Sequence, residues 1–411
     1  IAKNKTGKKK IVVAGIFAAL SLIGHLQPVQ AIDGAGDKAG FSNAASGVNF
    51  DSTKGIAIGL KNGDKTSANG NVATVAIGAH SNASGSSSVA IGGAVVNGAG
   101  AIGLGWSTAN GDNSVALGGT GSTNANGNNA FAASGGNANG ESATAIGSSA
   151  IASGRGGVAV GWNSQSAVNA VGIGFNAKAK ANNAVAIGVE ANSDNSIGDN
   201  SSSVSIGVKT RAREVGSMAM GVSADASGKY SIALGSGNVS GDYTATANYP
   251  KATGEKAIAI GYNSNSSNTG ATAIGAGATA SGTDSFAGGS GTAGGNSSIA
   301  IGKGASITAP IAGTTFGGQD SIAMGTGASA KQHSSVTIGV DSTSDGVRNI
   351  TIGPKASASG VDSIAIGNGG VGGDKNNTGV GGNGNTYTID VNGISTNVYY
   401  GVKSVDNGSI A

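Results

Sequence analysis

The sequence runs to 411 residues with 77 Gly, no Cys, 4% aromatic and 11% charged residues, and a formal net charge of +3. A chain so poor in large apolar side chains cannot fill the wide cores of the two or three globular domains its length would ordinarily hold. The weak charge and the regular return of Val and Ile exclude a disordered polyelectrolyte, and the missing Cys excludes a disulfide framework, which leaves a thin repetitive fold.

Residues 1–31 open with Lys3, Lys5, Lys8, Lys9 and Lys10, pass through an apolar run from Ile11 to Leu26, and end on Val29, Gln30 and Ala31. That order predicts an export signal cleaved after Ala31. The run is interrupted by Gly15, Ser21, Gly24 and His25 and is short for a spanning helix. Removing those five of the 24 basic residues leaves 19 against 21 acidic ones, a balance that calls for neither nucleic acid nor an anionic membrane as partner. Residues 32–55 are expected to form a lead-in or cap.

From 56 to 370 one pattern returns some twenty times: an apolar residue, a small one, a second apolar one, then Gly. Val75 Ala76 Ile77 Gly78, Val158 Ala159 Val160 Gly161 and Met218 Ala219 Met220 Gly221 are examples. The repeat glycines include Gly78, Gly92, Gly118, Gly147, Gly161, Gly188, Gly221, Gly235, Gly275, Gly302, Gly339, Gly353 and Gly367, with Gly103 placed in the same series. Half of the intervals equal 14, as in 221 to 235 and 339 to 353. Degenerate copies at Phe131–Ala133 and Phe286–Gly288 divide two long gaps.

Within a period the anchor is followed by a second alternation, such as Ala224 Asp225 Ala226 Ser227 Gly228. Period-two alternation predicts two short strands per coil, with Gly at the turns. Stacked coils then give an all-β solenoid of two parallel sheets. The Val and Ile of the first strand are expected inside, over the Ala pair of the second. The alternate small face, Ala76, Ala90, Ala116, Ala145, Ala159, Ala186 and Ala259, is expected to pack against other chains. The core of one coil is too small to offset the entropy of ordering it, so oligomerisation is expected.

The units Asn113 Ser114 Val115 Ala116 Leu117 Gly118, Asn183 Ala184 Val185 Ala186 Ile187 Gly188 and Asp362 Ser363 Ile364 Ala365 Ile366 Gly367 resemble the head repeat of trimeric autotransporter adhesins of the Yersinia-adhesin type. The resemblance covers about 56–367 and rests on many copies. It implies a left-handed parallel β-roll, a homotrimer, and display on a Gram-negative outer membrane with attachment to host matrix proteins or other cells. In that family the Asn-Ser-Val-Ala-Ile-Gly motif is linked to collagen contact, and Asn113–Gly118 comes within one conservative change of it, making Asn113 and Ser114 candidate contacts.

Insertions that break the period must leave the solenoid as loops, where recognition concentrates. The longest, Ser236 to Glu255, carries Asp242, Tyr243, Tyr249, Pro250 and Lys251; Asp242, Tyr243, Tyr249 and Lys251 are candidate ligand contacts, and a flap over the roll is the competing role. Trp106, Trp162, Phe175 and Tyr262 lie beside repeat glycines as turn-side packing residues, with Trp106 and Trp162 as further candidate contacts.

No enzyme chemistry stands out. Matches to GxGxxG are expected by chance at this Gly content. Asp320, His333 and Ser334 form no credible triad in a chain without a pocket-forming core. Zinc lacks Cys and clustered His, and the Asp-bearing nonapeptide of calcium rolls does not recur; no cofactor is expected.

Residues 371–411 pass from a Gly and Asn linker to alternating segments around Tyr387–Val391 and Thr396–Tyr400, expected to begin another small β module. Neck, heptad stalk and barrel strands are not seen after Gly367, so any membrane contact is expected through a C-terminal anchor outside this sequence. The expected function is a cell-surface adhesin head, with a structural surface rod for spacing, autoaggregation or biofilm contact as the alternative.

Overall fold

In the computed structural model the described residues are 48–51, 55–58, 66–69, 73–119, 122–193, 202–238, 248–309, 317–367, 387–391, 394–398 and 403–404. The expected export signal, most of the 32–55 lead-in and the 371–386 linker lie outside them. The chain is an all-β parallel solenoid of about 19 coils of ~14 residues, and it divides into two compact units, residues 1–142 and 143–411. Among the described residues no helix is long and apolar enough to cross a membrane.

In the first unit, strands Gly55–Ile58, Thr74–Ile77, Val89–Ile91, Ile102–Leu104 and Val115–Leu117 follow one another in parallel register to Phe131–Ala133. Val48–Asp51 pairs antiparallel with Gly55–Ile58. A second parallel sheet runs from Ser67–Ala68 through Asn82–Ala83, Val95–Val96, Ser107–Ala109 and Thr123–Ala125 to Asn137–Ala138.

The second unit repeats the plan. Its first sheet begins at Thr144–Ile146 and ends at Ile364–Ile366; its second begins at Ile151–Ala152 and reaches Ser357–Ala358. The segment expected to start a separate module supplies an antiparallel hairpin, Tyr387–Val391 with Ile394–Val398. The short strand Lys403–Ser404 then adds in parallel to Ser357–Ala358, extending the second sheet.

The two faces of the first sheet are opposite to the sequence expectation. Ala76, Ala90, Ala116, Ala145, Ala159, Ala186 and Ala259 are fully buried inside the coil, while the flanking Val and Ile point outward and stay half-exposed, as in Val158–Val160 and Ile258–Ile260. Volume decides this. Two sheets joined by seven-residue half-coils leave room only for Ala, Ser and Thr, and the inward residues of the second sheet are likewise Ala138, Ala152, Ser166, Ala179 and Ala226.

The exceptions follow the same rule. Val96 is one of the largest fully buried side chains, and it faces Gly103, where an added Cβ would sit 2.6 Å from a Val96 methyl. Gly103 is therefore an inward strand residue of Ile102–Leu104 rather than a turn anchor, and the turn glycine of that coil is Gly105, with φ +70°.

Many of the described turns share one plan, with the third of four residues in the left-handed region. In Gly228–Ser231, Tyr230 takes the left-handed region at φ 57°, and Ser231 closes the turn by donating from both N–H (3.2 Å) and Oγ (2.7 Å) to the Gly228 carbonyl. Ser88 and Ser285 repeat the side-chain bond at 2.6 and 2.7 Å. The left-handed position is often Asn, as at Asn113, Asn163 and Asn183, because its short side chain tolerates that conformation. Gly207 shows why the anchor is Gly: its φ is +127°, and an added Cβ would meet the Gly221 carbonyl oxygen at 1.9 Å.

Candidate ligand-contact surface

Surface chemistry sits on the outward residues of the second sheet and on the turns. Trp106 lies in the turn before Ser107–Ala109 and is 58% exposed. Its indole covers Gly93 of the preceding coil, where an added Cβ would lie 3.3 Å from the ring, and the His80 ring is 6.0 Å away, tilted by 37°. An open cleft of about 520 Å³ follows, with His80, Val95, Trp106, Thr108 and Asn124 on its walls.

Trp162 and Phe175 occupy the same turn position in successive coils and stack on each other, centroids 4.8 Å apart at 16°. The stack leaves about half of each ring exposed. Tyr262, later in that series, accepts a bond from Asn238 Nδ2 at 3.2 Å.

The second expected cluster is only partly in view, since Asp242 and Tyr243 lie outside the described residues. Tyr249 and Lys251 are together: Lys251 Nζ stands 4.6 Å and Arg211 Cζ 5.4 Å from the Tyr249 ring centroid, a cation–π arrangement that fixes the ring against the sheet. Pro250 is buried and its carbonyl accepts from Asp225 N–H at 3.0 Å. The end of the insertion is thus a strand of the second sheet, Lys251–Ala252.

Arg211, Arg213, Asp225 and Lys178 escaped the sequence reading. In register, the outward column of the second sheet reads Lys178, Asn192, Arg211, Asp225, Lys251, Asn265. Asp225 holds Arg211 through Nη2 at 3.0 Å and Nε at 3.2 Å, and Arg213 at 3.7 Å. The other Asp225 oxygen is buried without a partner. From Thr279 to Ser357 the column is neutral, with Thr279, Thr292, Ser306, Ser329, Thr343 and Ser357, and Lys403 follows Ser357 in register.

The remaining expected contacts divide. Asn113 is exposed in its turn, but Ser114 is fully buried in the coil, in the position where Ser closes the turn elsewhere, so Ser114 is withdrawn from the ligand surface. His333 Nδ1 lies 3.4 Å from Ser334 Oγ, long for the hydrogen bond a nucleophile and its base require.

Coils of this length and spacing, with an Ala interior and the turn Ser, define a β-solenoid with two outward sheet faces. The YadA head domain repeat matches residues 71–94, 97–120, 138–164, 166–191, 212–238, 252–278, 266–292, 317–345 and 352–369. No curated protein matches the chain. With more than half of its residues matched, the chain belongs to the YadA head-repeat family; it is a head of the trimeric autotransporter adhesin type and an adhesin-type surface protein.

Proposed function

We propose that three copies of this chain associate through the outer face of the first sheet, and that the assembled head attaches its cell to host extracellular matrix or to other cells. The observation that carries this is the line of half-exposed Val, Ile and Met along that face, Ile173, Ile187, Met220, Ile274 and Met324 among them. A contiguous apolar surface of this kind marks an interaction site. The second sheet turns outward with Lys, Arg, Asn, Thr and Ser, which suits it to face water and ligand. The family resemblance supports a closed threefold assembly.

The test is attachment. Beads carrying the full chain are offered immobilised collagen, laminin and fibronectin, cultured cells, and a second set of beads carrying the same chain. Capture by a matrix protein or by cells is the expected result. Clumping of beads with no capture by any matrix protein or cell overturns it in favour of a rod for spacing and autoaggregation.

A further inference from the structure

We propose that the cationic row on the outer face of the second sheet, Lys178, Arg211, Arg213 and Lys251, is a binding site for a linear sulfated polysaccharide; this rests on reading the head as an attachment surface.

The row is a local concentration and not a general property of the chain. Beyond residue 31, acidic residues outnumber basic ones, 21 to 19. Yet every charged side chain among the described outward strand residues of this sheet in the second unit, up to Ser357, falls between Lys178 and Lys251. Parallel strands are spaced about 4.8 Å apart, so Lys178, Arg211 and Lys251, each two strands from the next, stand roughly 10 Å apart in a straight line. Such a line matches an extended polymer bearing anions at intervals along a single strand.

Asp225 does not cancel the row. It pairs with Arg211 and Arg213 together, so two guanidinium groups are oriented by one carboxylate and keep donors in excess. Guanidinium suits a sulfate, whose oxygens accept paired N–H bonds as phosphate oxygens do. Beside the start of the row, a shallow depression of about 190 Å³ is lined by Ile151, Gln165 and Lys180, and the Gln165 amide is placed to meet a sugar ring there.

Single-stranded nucleic acid fits less well. Its sequence-independent binding relies on aromatic faces free for bases, whereas among the described residues the aromatic ring at the row, Tyr249, carries Lys251 and Arg211 against it.

The test uses the full chain and fluorescent heparin at about 0.15 M salt, with affinity followed as salt is raised. Lys178→Gln with Lys251→Gln leaves the Arg211–Asp225–Arg213 network in place and is expected to weaken binding roughly tenfold and to flatten the salt dependence. Arg211→Gln alone is expected to weaken it too, with circular dichroism unchanged. Lys303→Gln with Lys355→Gln, outside the row, is expected to leave binding as it was. Desulfated heparin is expected not to compete.

Equal binding by the Lys178 and Lys251 double variant, competition by desulfated heparin, or tighter binding of single-stranded DNA than of heparin would each overturn the proposal. The bead assay separates the two readings. Capture by matrix protein without heparin binding sinks the polysaccharide site alone. Heparin binding by a chain that attaches to no matrix protein or cell upholds the site and sinks the attachment reading.

Discussion

Asn97 donates through its side-chain Nδ2 to the Oδ1 of Asn110 at 2.7 Å, and the bond is one link of a chain. Ser84 Oγ donates to Asn97, Asn110 to Asn126, and Asn126 to Asn139, at 2.7, 2.7 and 2.8 Å. The amides point one way along successive coils, in the manner of the Asn ladders that stabilise stacked parallel strands. Each of these Asn residues precedes a Gly, and the N–H groups of Gly98, Gly111 and Gly127 bond to the next coil at 3.2, 3.3 and 3.2 Å.

Asn110→Ala removes two exposed side-chain bonds at once and is expected to cost about 1 kcal/mol. Hydrogen exchange should quicken at 97–127 and stay constant at 320–360. Asn110→Asp still accepts from Asn97 but has no donor for Asn126, so its effect is expected to be at least as large.

The interior is set by volume. Ala259→Leu places three extra carbons in a closed coil and is expected to destabilise by about 3 kcal/mol, seen as a lowered unfolding temperature. Ile260→Ala, on the outward side of the same strand, is expected to shift unfolding far less at protein concentrations where the chain is monomeric. Equal losses would mean the two faces have been assigned wrongly.

Ile258→Lys with Ile260→Lys places two charges on the proposed contact face without touching the interior. Light scattering is expected to show trimers for the unaltered chain and monomers for the variant, with the same circular dichroism. A folded, monodisperse monomer in the unaltered chain would end the trimer proposal.

Arg348 grips Asp362 of the next coil, with Nη2 at 2.7 Å from Oδ2, and this hydrogen bond holds the Asp362 carboxyl below the ordinary carboxylate range. A lowered folded-state value stabilises at pH above the unfolded value, and the gain is lost as pH falls through the folded one. Asp362→Asn is therefore expected to melt earlier than the unaltered chain near pH 7, with the gap narrowing as pH falls below the ordinary carboxylate range. A difference that persists in acid would assign the effect to packing.

The fold was legible because the period repeats so often. Met218 Ala219 Met220 Gly221 marks one strand and turn, and even the degenerate Phe131–Ala133 and Phe286–Gly288 become strands of the first sheet. The direction of the faces was misread because hydrophobicity was ranked above size. Ile258 is the more apolar neighbour of Ala259, but only Ala259 fits between sheets this close. The clue was present in the second strands, whose repeated Ala and Ser left no space for an opposing Ile.

The charged column was hidden for a different reason. Arg211 and Asp225 are separated by one period, but the 236–255 insertion places Lys251 far along the chain from Asp225, although the two are adjacent in the sheet. Counting fourteens does not recover that neighbour. The buried state of Ser114 was equally out of reach while its motif was judged by ligand resemblance and not by the turn it closes.

Neighbour-only bonding governs how such a chain can vary in length. Val158 N–H meets Ala170, Val171 N–H meets Ala184 and Val185 N–H meets Ser203, so every coil presents the same edge to whatever follows. Excising one full period joins equivalent edges, with outward Ile still outward and interior Ala still interior. Excising seven residues would splice one sheet onto the other and set Lys or Asn columns where Ile belongs. A head built this way can therefore shorten or lengthen by whole coils without turning either sheet over.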